Sequence, residues 1–186
     1  MCPPFNRLFA WHRRRRLLWL LALLTVVFGL AAGWFAREMD EHGAGIFELE
    51  FVRTSEKAEE YASLSDEWKS DAQAALGLDY GYLISYGLLL VGLSIAVTDR
   101  SVRAGRRTLA TLGPWVAWGA LGAALFDAAE NAFLILIVRG ETGDPWPALA
   151  TGCAVAKFTL VGIAIVYVIG GWLRTWGVRP EPGLAR

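Results

Sequence analysis

The feature that most constrains this chain is a set of four long apolar runs. A membrane-spanning helix needs roughly 20 predominantly apolar residues, because the hydrocarbon core of a bilayer is about 30 Å thick. The four runs cover residues 17–36, 78–97, 114–138 and 146–173. Segments inside hydrocarbon fold as helices, since no water is available to pair with their backbone amides. The 186 residues therefore predict one domain, an all-α integral membrane protein built as a four-transmembrane-helix bundle.

The first run has a second interpretation, as a cleaved secretory signal, because basic residues precede it. Its apolar stretch is longer than the h-region of a typical signal peptide. Trp34 and Phe35 follow it in the way that interfacial aromatic residues close a membrane span. A hydrophobic fraction of 55% and a mean hydropathy of +0.38 also lie on the membrane side of ordinary usage. We therefore expect a retained span.

Positive charges are concentrated in three of the five segments outside the spans. The N-terminal tail carries Arg7 and the basic run 13–16, the loop 98–113 carries four arginines, and the C-terminal tail carries Arg174, Arg179 and Arg186. The segment 37–77 is acidic instead. The positive-inside rule places both termini and the loop 98–113 in the cytoplasm, with 37–77 outside the cell membrane. The basic run is most simply a topology determinant, although it could also attract anionic lipid headgroups.

Other classes of chemistry have little support in the sequence. Two cysteines, Cys2 and Cys153, are too few for a disulfide framework or a cysteine-ligated metal site. Nucleic-acid binding would require a folded basic face, and the pattern shows none. We expect no metal, no cofactor and no nucleic acid, and the bilayer itself as the main partner.

The outer segment 37–77 predicts short elements. The alternation in FELEF, residues 47–51, indicates a brief extended piece. Thr54 or Ser55 can cap a short helix that runs to Ala62. Ser65 can cap a second helix that continues through Trp68 into the second span. The segment is too small for a core of its own, so we expect it to lie over the outer end of the bundle.

Three polar residues interrupt the third span: Asp127, Glu130 and Asn131. At 100° per residue they fall within one arc of about 100° on a helix. In the fourth span, Lys157 lies about 11 residues from the outer boundary, as Asp127 does in the third, which corresponds to roughly 16 Å of depth for both. A charged residue at a span centre costs about 2.5–3.5 kcal/mol, so we predict an Asp127–Lys157 pair.

Two further carboxyl groups belong to the same predicted site. Glu130 lies one turn nearer the outer surface than Asp127, and we expect it to be protonated or to face water. Asp79 precedes Tyr80 at the outer start of the second span, where it can point into the same cavity. We expect the outer segment to act as a lid that contributes Glu48, Glu50 and Trp68.

The pattern resembles a group of small bacterial four-span membrane proteins. These share an Asp at the start of span two, a D-x-x-E-N motif in span three and a K-F pair in span four. The corresponding residues are Asp79, then Asp127, Glu130 and Asn131, then Lys157 and Phe158. The likeness extends from about Ile46 to Leu173, and it implies no activity. The architecture is also similar to that of emopamil-binding-type sterol isomerases, without a match of their motifs.

Four functions remain open at this stage. The first is a binding or accessory protein whose outward-opening polar pocket holds a lipid headgroup or small amphiphile. The second is a membrane-embedded lipid-modifying enzyme that uses Glu130 or Asp127 as general acid/base. The third is a purely structural buried ion pair that fixes helix register. An ion-coupled carrier ranks last, because the sequence has neither repeats nor broken spans.

Overall fold

The structure is a computed structural model that describes residues 11–177, with side chains from residue 14 onward. All regular elements within these residues are helices: α1 Trp11–His42, α2 Ile46–Glu50, α3 Ser55–Ala62, α4 Asp66–Arg103, α5 Arg107–Val138 and α6 Trp146–Arg174. Four of them, α1, α4, α5 and α6, are long and apolar enough to cross a membrane. The all-helical, four-span prediction is confirmed at this level. Cys2, Arg7, Arg179, Arg186 and the side chain of Arg13 lie outside the described part.

The long helices extend past the predicted spans. α4 begins at Asp66 rather than near residue 78, and Ser65 caps it by accepting a hydrogen bond from the amide of Trp68 at 3.2 Å. The stretch 98–113, which we predicted as a loop, is helical except at residues 104–106. Gly105 turns the chain there with a φ of +66°, a conformation that glycine adopts readily. Hydropathy indicates where a helix leaves hydrocarbon, not where the helix ends, and this explains the difference.

The other three long helices, α1, α5 and α6, all contact α4, and α5 also packs along α6. Small residues allow the closest approaches, as expected where helices meet in a membrane. A Cβ atom added at Gly87 of α4 would lie 2.9 Å from the Cβ atom of Ala124 in α5. α1 lies at the periphery of the bundle and exposes large apolar side chains such as Trp19 and Leu30.

The connecting segment, defined here as residues 43–65, joins α1 to α4 and contains α2 and α3. The prediction of an extended FELEF was wrong, because residues 46–50 form α2. Leu49 is buried while Phe47 and Phe51 are exposed, so burial does not follow the alternation on which the prediction rested. The predicted cap of α3 is confirmed: the hydroxyl of Thr54 accepts a hydrogen bond from the amide of Lys57 at 3.3 Å.

The connecting segment shares one hydrophobic cluster with the helix ends beside it. That cluster joins Leu49 and Val52 to Leu134 and Ile137 of α5, among others. Trp68 is fully buried in it, and its indole donates a hydrogen bond to the carbonyl of Ala44 at 2.8 Å. We call this end of the bundle the segment end. The opposite end, where α4 meets α5 at residues 104–106, is the arginine end.

Candidate functional site

Lys157 of α6 is the centre of a buried polar cluster near the segment end. Its ammonium nitrogen lies 2.9 Å from Oδ1 of Asp127, 3.0 Å from Oε2 of Glu130 and 3.2 Å from Oε1 of Glu50. The two α5 carboxylates and the lysine are buried. The structure thus brings together the predicted Asp127–Lys157 pair and two further acids from different elements.

A second set of hydrogen bonds surrounds this cluster. The phenol of Tyr86 in α4 donates to Oδ2 of Asp127 at 2.8 Å, so both carboxylate oxygens of Asp127 are engaged. The amide nitrogen of Asn131 donates to Oδ2 of Asp79 at 2.7 Å. The predicted site residues of α4, α5 and α6 therefore form two neighbouring groups: Asp127 and Glu130 contact Lys157, whereas Asn131 pairs with Asp79.

The local sequence explains why these side chains meet. α5 and α6 are antiparallel neighbours joined by residues 139–145, so positions equally far from the connection lie at the same height. Asp127 and Asn131 are one helical turn apart and face inward, as the buried Ala120 and Ala123 also do. Tyr86 follows Asp79 by two turns on α4 and therefore points to the same side.

Glu50 reaches the cluster because three successive residues of the connecting segment contact α6. Glu50 pairs with Lys157, Phe51 stacks on Phe158 with ring centroids 6.1 Å apart, and the carbonyl of Val52 accepts a hydrogen bond from Thr151 at 3.1 Å. Burial raises the pKa of Glu50 above its ordinary value, and the nearby Lys157 ammonium only partly offsets that effect.

A cavity of about 750 Å³ opens beside the cluster. Its polar floor contains Asp79, Tyr86, Asp127, Asn131, Lys157 and Glu50. Its walls are apolar side chains of α1, α4 and α6 together with α2, and Arg37, Asp40 and Glu48 lie around it as well. Pockets for small molecules commonly have 300–1,000 Å³, mostly apolar walls and a few convergent polar groups. This cavity has all three properties.

The remaining predicted residues occupy different positions. Glu130 lies behind Lys157 and away from the cavity wall; its side chain is 0% exposed and its Oε1 has no hydrogen-bond partner within the described chain. Glu48 is exposed beside the cavity. Trp68, expected in the lid, packs in the hydrophobic cluster instead, because its indole ring is more favourably buried than exposed.

Two residues of the site had weaker signals or none in the sequence. Tyr86 is one of three tyrosines in the second span and has no motif of its own, although its spacing of seven from Asp79 indicates a shared face. Glu50 was expected in a lid and not as a partner of Lys157. The path of a connecting segment has no periodicity, so its contact with Lys157 could not be derived from spacing.

The cluster carries more acid than base. Three carboxyl groups, those of Glu50, Asp127 and Glu130, contact the single ammonium group of Lys157. A fourth, that of Asp79, lines the same cavity and accepts a hydrogen bond from Asn131. Buried carboxylates in such excess require either protons or another cation to neutralise them. Among the described residues, no group of three or more His, Cys, Asp or Glu side chains is arranged to hold a metal ion.

Comparisons of the chain with protein-family models, with curated proteins and with solved structures found no match. Any function proposed for it therefore has to be supported by the geometry of the cluster and its cavity.

Proposed function

We propose that this chain is a multi-pass protein of the cell membrane that binds an amphiphile in the cavity beside Lys157. The single observation that supports this is the cavity itself: about 750 Å³ with a charged floor and apolar walls. A structural ion pair needs no open volume beside it. An amphiphile would place its polar group against Asp79 and Asp127 and its apolar part along the walls.

The charge of the floor indicates the polar group. Carboxyl groups outnumber the one lysine, so an amine or quaternary ammonium group is the complementary partner. Tyr82, Tyr86 and Phe158 also line the cavity, and aromatic faces attract cations of this kind. The proposed ligand is a small amphiphile with a cationic headgroup, bound from the segment end.

For the orientation, we propose that the segment end faces the outside of the cell, with both termini in the cytoplasm. The arginine end carries Arg15, Arg16 and the exposed Arg106 and Arg107, in keeping with the positive-inside rule. Cysteines placed at the exposed Ser63 and Thr108, in a chain without Cys2 and Cys153, would report the two ends. Labelling of intact cells by an impermeant thiol reagent should occur at position 63 only. Labelling at 108 alone would reverse the proposed orientation.

Ligand binding is tested with the purified full chain in nanodiscs and dodecylamine as the probe, with dodecanol for comparison. Gly33 borders the cavity, and a Cβ atom added there meets nothing within 4 Å, so Gly33→Leu adds bulk at the cavity wall without a clash and without altering the carboxylates. Gly162→Leu is the matched control, because Gly162 is equally open but does not line the cavity. We expect dodecylamine to bind the wild type and Gly162→Leu, and Gly33→Leu to lose most of that binding.

Equal binding of dodecylamine and dodecanol would overturn the proposal that the headgroup of the ligand is cationic. Unchanged binding to Gly33→Leu would overturn the cavity as the site. The structural alternative predicts that Asp127→Asn combined with Lys157→Met folds normally and retains the same co-purifying lipids as the wild type. That result would leave the cluster with a role in helix register only.

A lipid-modifying enzyme is the second candidate, and one observation favours Asp127 over Glu130 as its acid/base group. Asp127 lines the cavity and is positioned by Tyr86 and Lys157, whereas Glu130 lies behind the lysine. A general base must reach the proton that it removes. Replacing the native protein by Asp127→Asn should then change the lipid composition of the membrane, while Glu130→Gln changes it less.

A further inference from the structure

A second groove lies at the opposite end of the bundle, and the proposed function does not use it. It has a volume of about 510 Å³, with α4 as its floor and α1 and α6 at its sides. Arg14, Arg15 and Arg100 lie at its mouth, at the arginine end. Leucine, alanine and tryptophan side chains line the rest.

The apolar part of the groove is a stripe along α4. Leu89, Leu93 and Ala96 follow one another at helical spacing and lead to Arg100. From Leu89 to Arg100 the helix rises about 16 Å, close to half of the ~30 Å hydrocarbon core of a bilayer. That is the depth occupied by one acyl chain of a lipid whose headgroup lies at the arginines.

The three arginines are neutralised to different extents. Arg14 pairs with the carboxylate of Asp99. Arg100 contacts uncharged oxygens of Thr175, at 3.3 and 3.4 Å, and lies 4.4 Å from the ring centroid of Trp172. Arg15 is exposed, and neither it nor Arg100 has a carboxylate within ion-pair distance among residues 14–177.

We propose that this groove binds an anionic phospholipid, with its phosphate at Arg15 and Arg100 and one acyl chain along the α4 stripe. A guanidinium group presents a planar fork of N–H donors that matches phosphate oxygens, and Arg100 is already oriented by Trp172 and Thr175. Basic pockets between membrane helices bind anionic headgroups for this reason.

The net charge of the lipid is part of the inference. A zwitterionic phospholipid carries a cation beside its phosphate, which the guanidinium groups of Arg15 and Arg100 would repel. A small soluble anion would leave the leucine stripe unused. The proposal is independent of the amphiphile in the acidic cavity, because the two sites lie at opposite ends and carry opposite charge.

Binding is measured by native mass spectrometry of the delipidated full chain titrated with dioleoyl phosphatidylglycerol and, separately, dioleoyl phosphatidylcholine. Arg15→Gln with Arg100→Gln should weaken phosphatidylglycerol binding by on the order of 10-fold or more. Arg106→Gln with Arg107→Gln is the matched control, since both arginines are exposed at the same end but do not line the groove. The control should change binding by less than about 3-fold.

A second variant tests the acyl chain and leaves every arginine in place. Leu93→Trp fills the stripe and should also weaken phosphatidylglycerol binding, and the chain-free headgroup glycerophosphoglycerol should not compete with the lipid. Equal affinity for the two lipids would overturn the proposal. Equal losses of phosphatidylglycerol affinity in the two double arginine variants would also overturn it, because they would indicate an effect of general surface charge. Effective competition by the chain-free headgroup would overturn it as well, because it would indicate a simple anion site.

Discussion

The segment end and the arginine end of the bundle both place charged side chains against apolar helix surfaces, but they compensate charge in opposite ways. At the segment end, one buried lysine is in contact with three carboxylates. At the arginine end, Arg15 is exposed, and Arg100 is half-buried against a ring and uncharged oxygens. The first end encloses its charges with partners, whereas the second pairs Arg14 with Asp99 and leaves Arg15 and Arg100 without a carboxylate among residues 14–177.

This difference follows from the cost of removing charge from water. A fully buried ion is stable only with partners, so Glu130 and Lys157 depend on each other. Arginines near a helix end can extend their heads towards water or a headgroup and need no acidic partner. Substitutions should therefore destabilise the two ends for different reasons. At the segment end they remove the partner of a buried charge, and at the arginine end they disturb helix packing or lipid binding.

Removing Lys157 should have the largest effect. Lys157→Met leaves Asp127 and the buried Glu130 without their cation and should lower the free energy of unfolding by about 3–5 kcal/mol. Chemical unfolding in mixed micelles measures this. Lys57→Met is the control, because Lys57 is exposed, pairs with the exposed Glu60 and lies 5.9 Å from the Tyr61 ring centroid, and it should produce little change.

The pairing argument also predicts a rescue. Adding Glu130→Gln to Lys157→Met removes the stranded carboxylate and should restore part of the stability. A Lys157→Met chain as stable as the wild type would show that the segment end does not depend on this cation, and the contrast between the two ends would disappear.

At the arginine end, a single added methyl group should have the next largest effect. A Cβ atom added at Gly171 of α6 would lie 2.2 Å from Cγ1 of Val97 in α4, so the Val97 side chain or one of the two helices must shift. We expect Gly171→Ala to lower the free energy of unfolding by about 2 kcal/mol. Gly170→Ala is the adjacent control, with nothing within 4 Å, and should be neutral or slightly stabilising. Equal effects at the two glycines would contradict close α4–α6 packing.

The same tyrosine substitution can be made at both ends. Tyr86 donates to the carboxylate of Asp127, and Tyr167 donates to the carbonyl of Leu109, each at 2.8 Å. Hydrogen bonds to charged groups contribute more, so Tyr86→Phe should cost about 1.5 kcal/mol and Tyr167→Phe about 1 kcal/mol of unfolding free energy. Thermal unfolding of both variants, with Tyr82→Phe as control, checks the order. A larger loss of stability for Tyr167→Phe than for Tyr86→Phe would contradict the prediction.

The parts of this architecture that sequence could predict are those governed by helical periodicity. Hydropathy located the four long helices, and equal distances from the connection placed Asp127 and Lys157 at one height. Ser65 and Thr54 were recognisable as caps because the local backbone determines that interaction. Each of these inferences depends on one helix, or on two helices joined by a short connection.

Sequence could not predict contacts that depend on the path of irregular chain. α2 was expected to be extended, because five alternating residues do not distinguish a half-buried strand from a short helix. Trp68 was expected in a lid but is buried in the hydrophobic cluster. The contact between Glu50 and Lys157 joins residues 107 positions apart across the connecting segment. The groove at Arg100 could not be predicted either, since it forms between α1, α4 and α6, and the sequence does not determine which helices are neighbours.

The smallest expected effect is a pH dependence that the segment end should show and the arginine end should lack. Burial raises the pKa of Glu50, opposed by Lys157 and reinforced by Asp127. The folded state therefore favours the neutral carboxyl group, whose contribution to stability is complete below the unfolded pKa and is lost as the pH rises through the folded pKa. Relative to Glu50→Gln, which does not titrate, the wild type should lose unfolding free energy as the pH rises above about 4.3, the ordinary pKa of a glutamate.

Glu48→Gln, an exposed change on the same helix, is the matched control for charge. Arg100→Gln tests the other end, where no carboxylate lies within ion-pair distance of Arg100 among residues 14–177, so its stability difference from the wild type should not vary with pH. Unfolding curves at each pH give both comparisons. If the unfolding free energies of the wild type and Glu50→Gln change with pH in parallel, the Lys157 ammonium fully compensates the Glu50 carboxylate. Burying Glu50 would then carry no desolvation cost, and the two ends of the bundle would not differ in this respect.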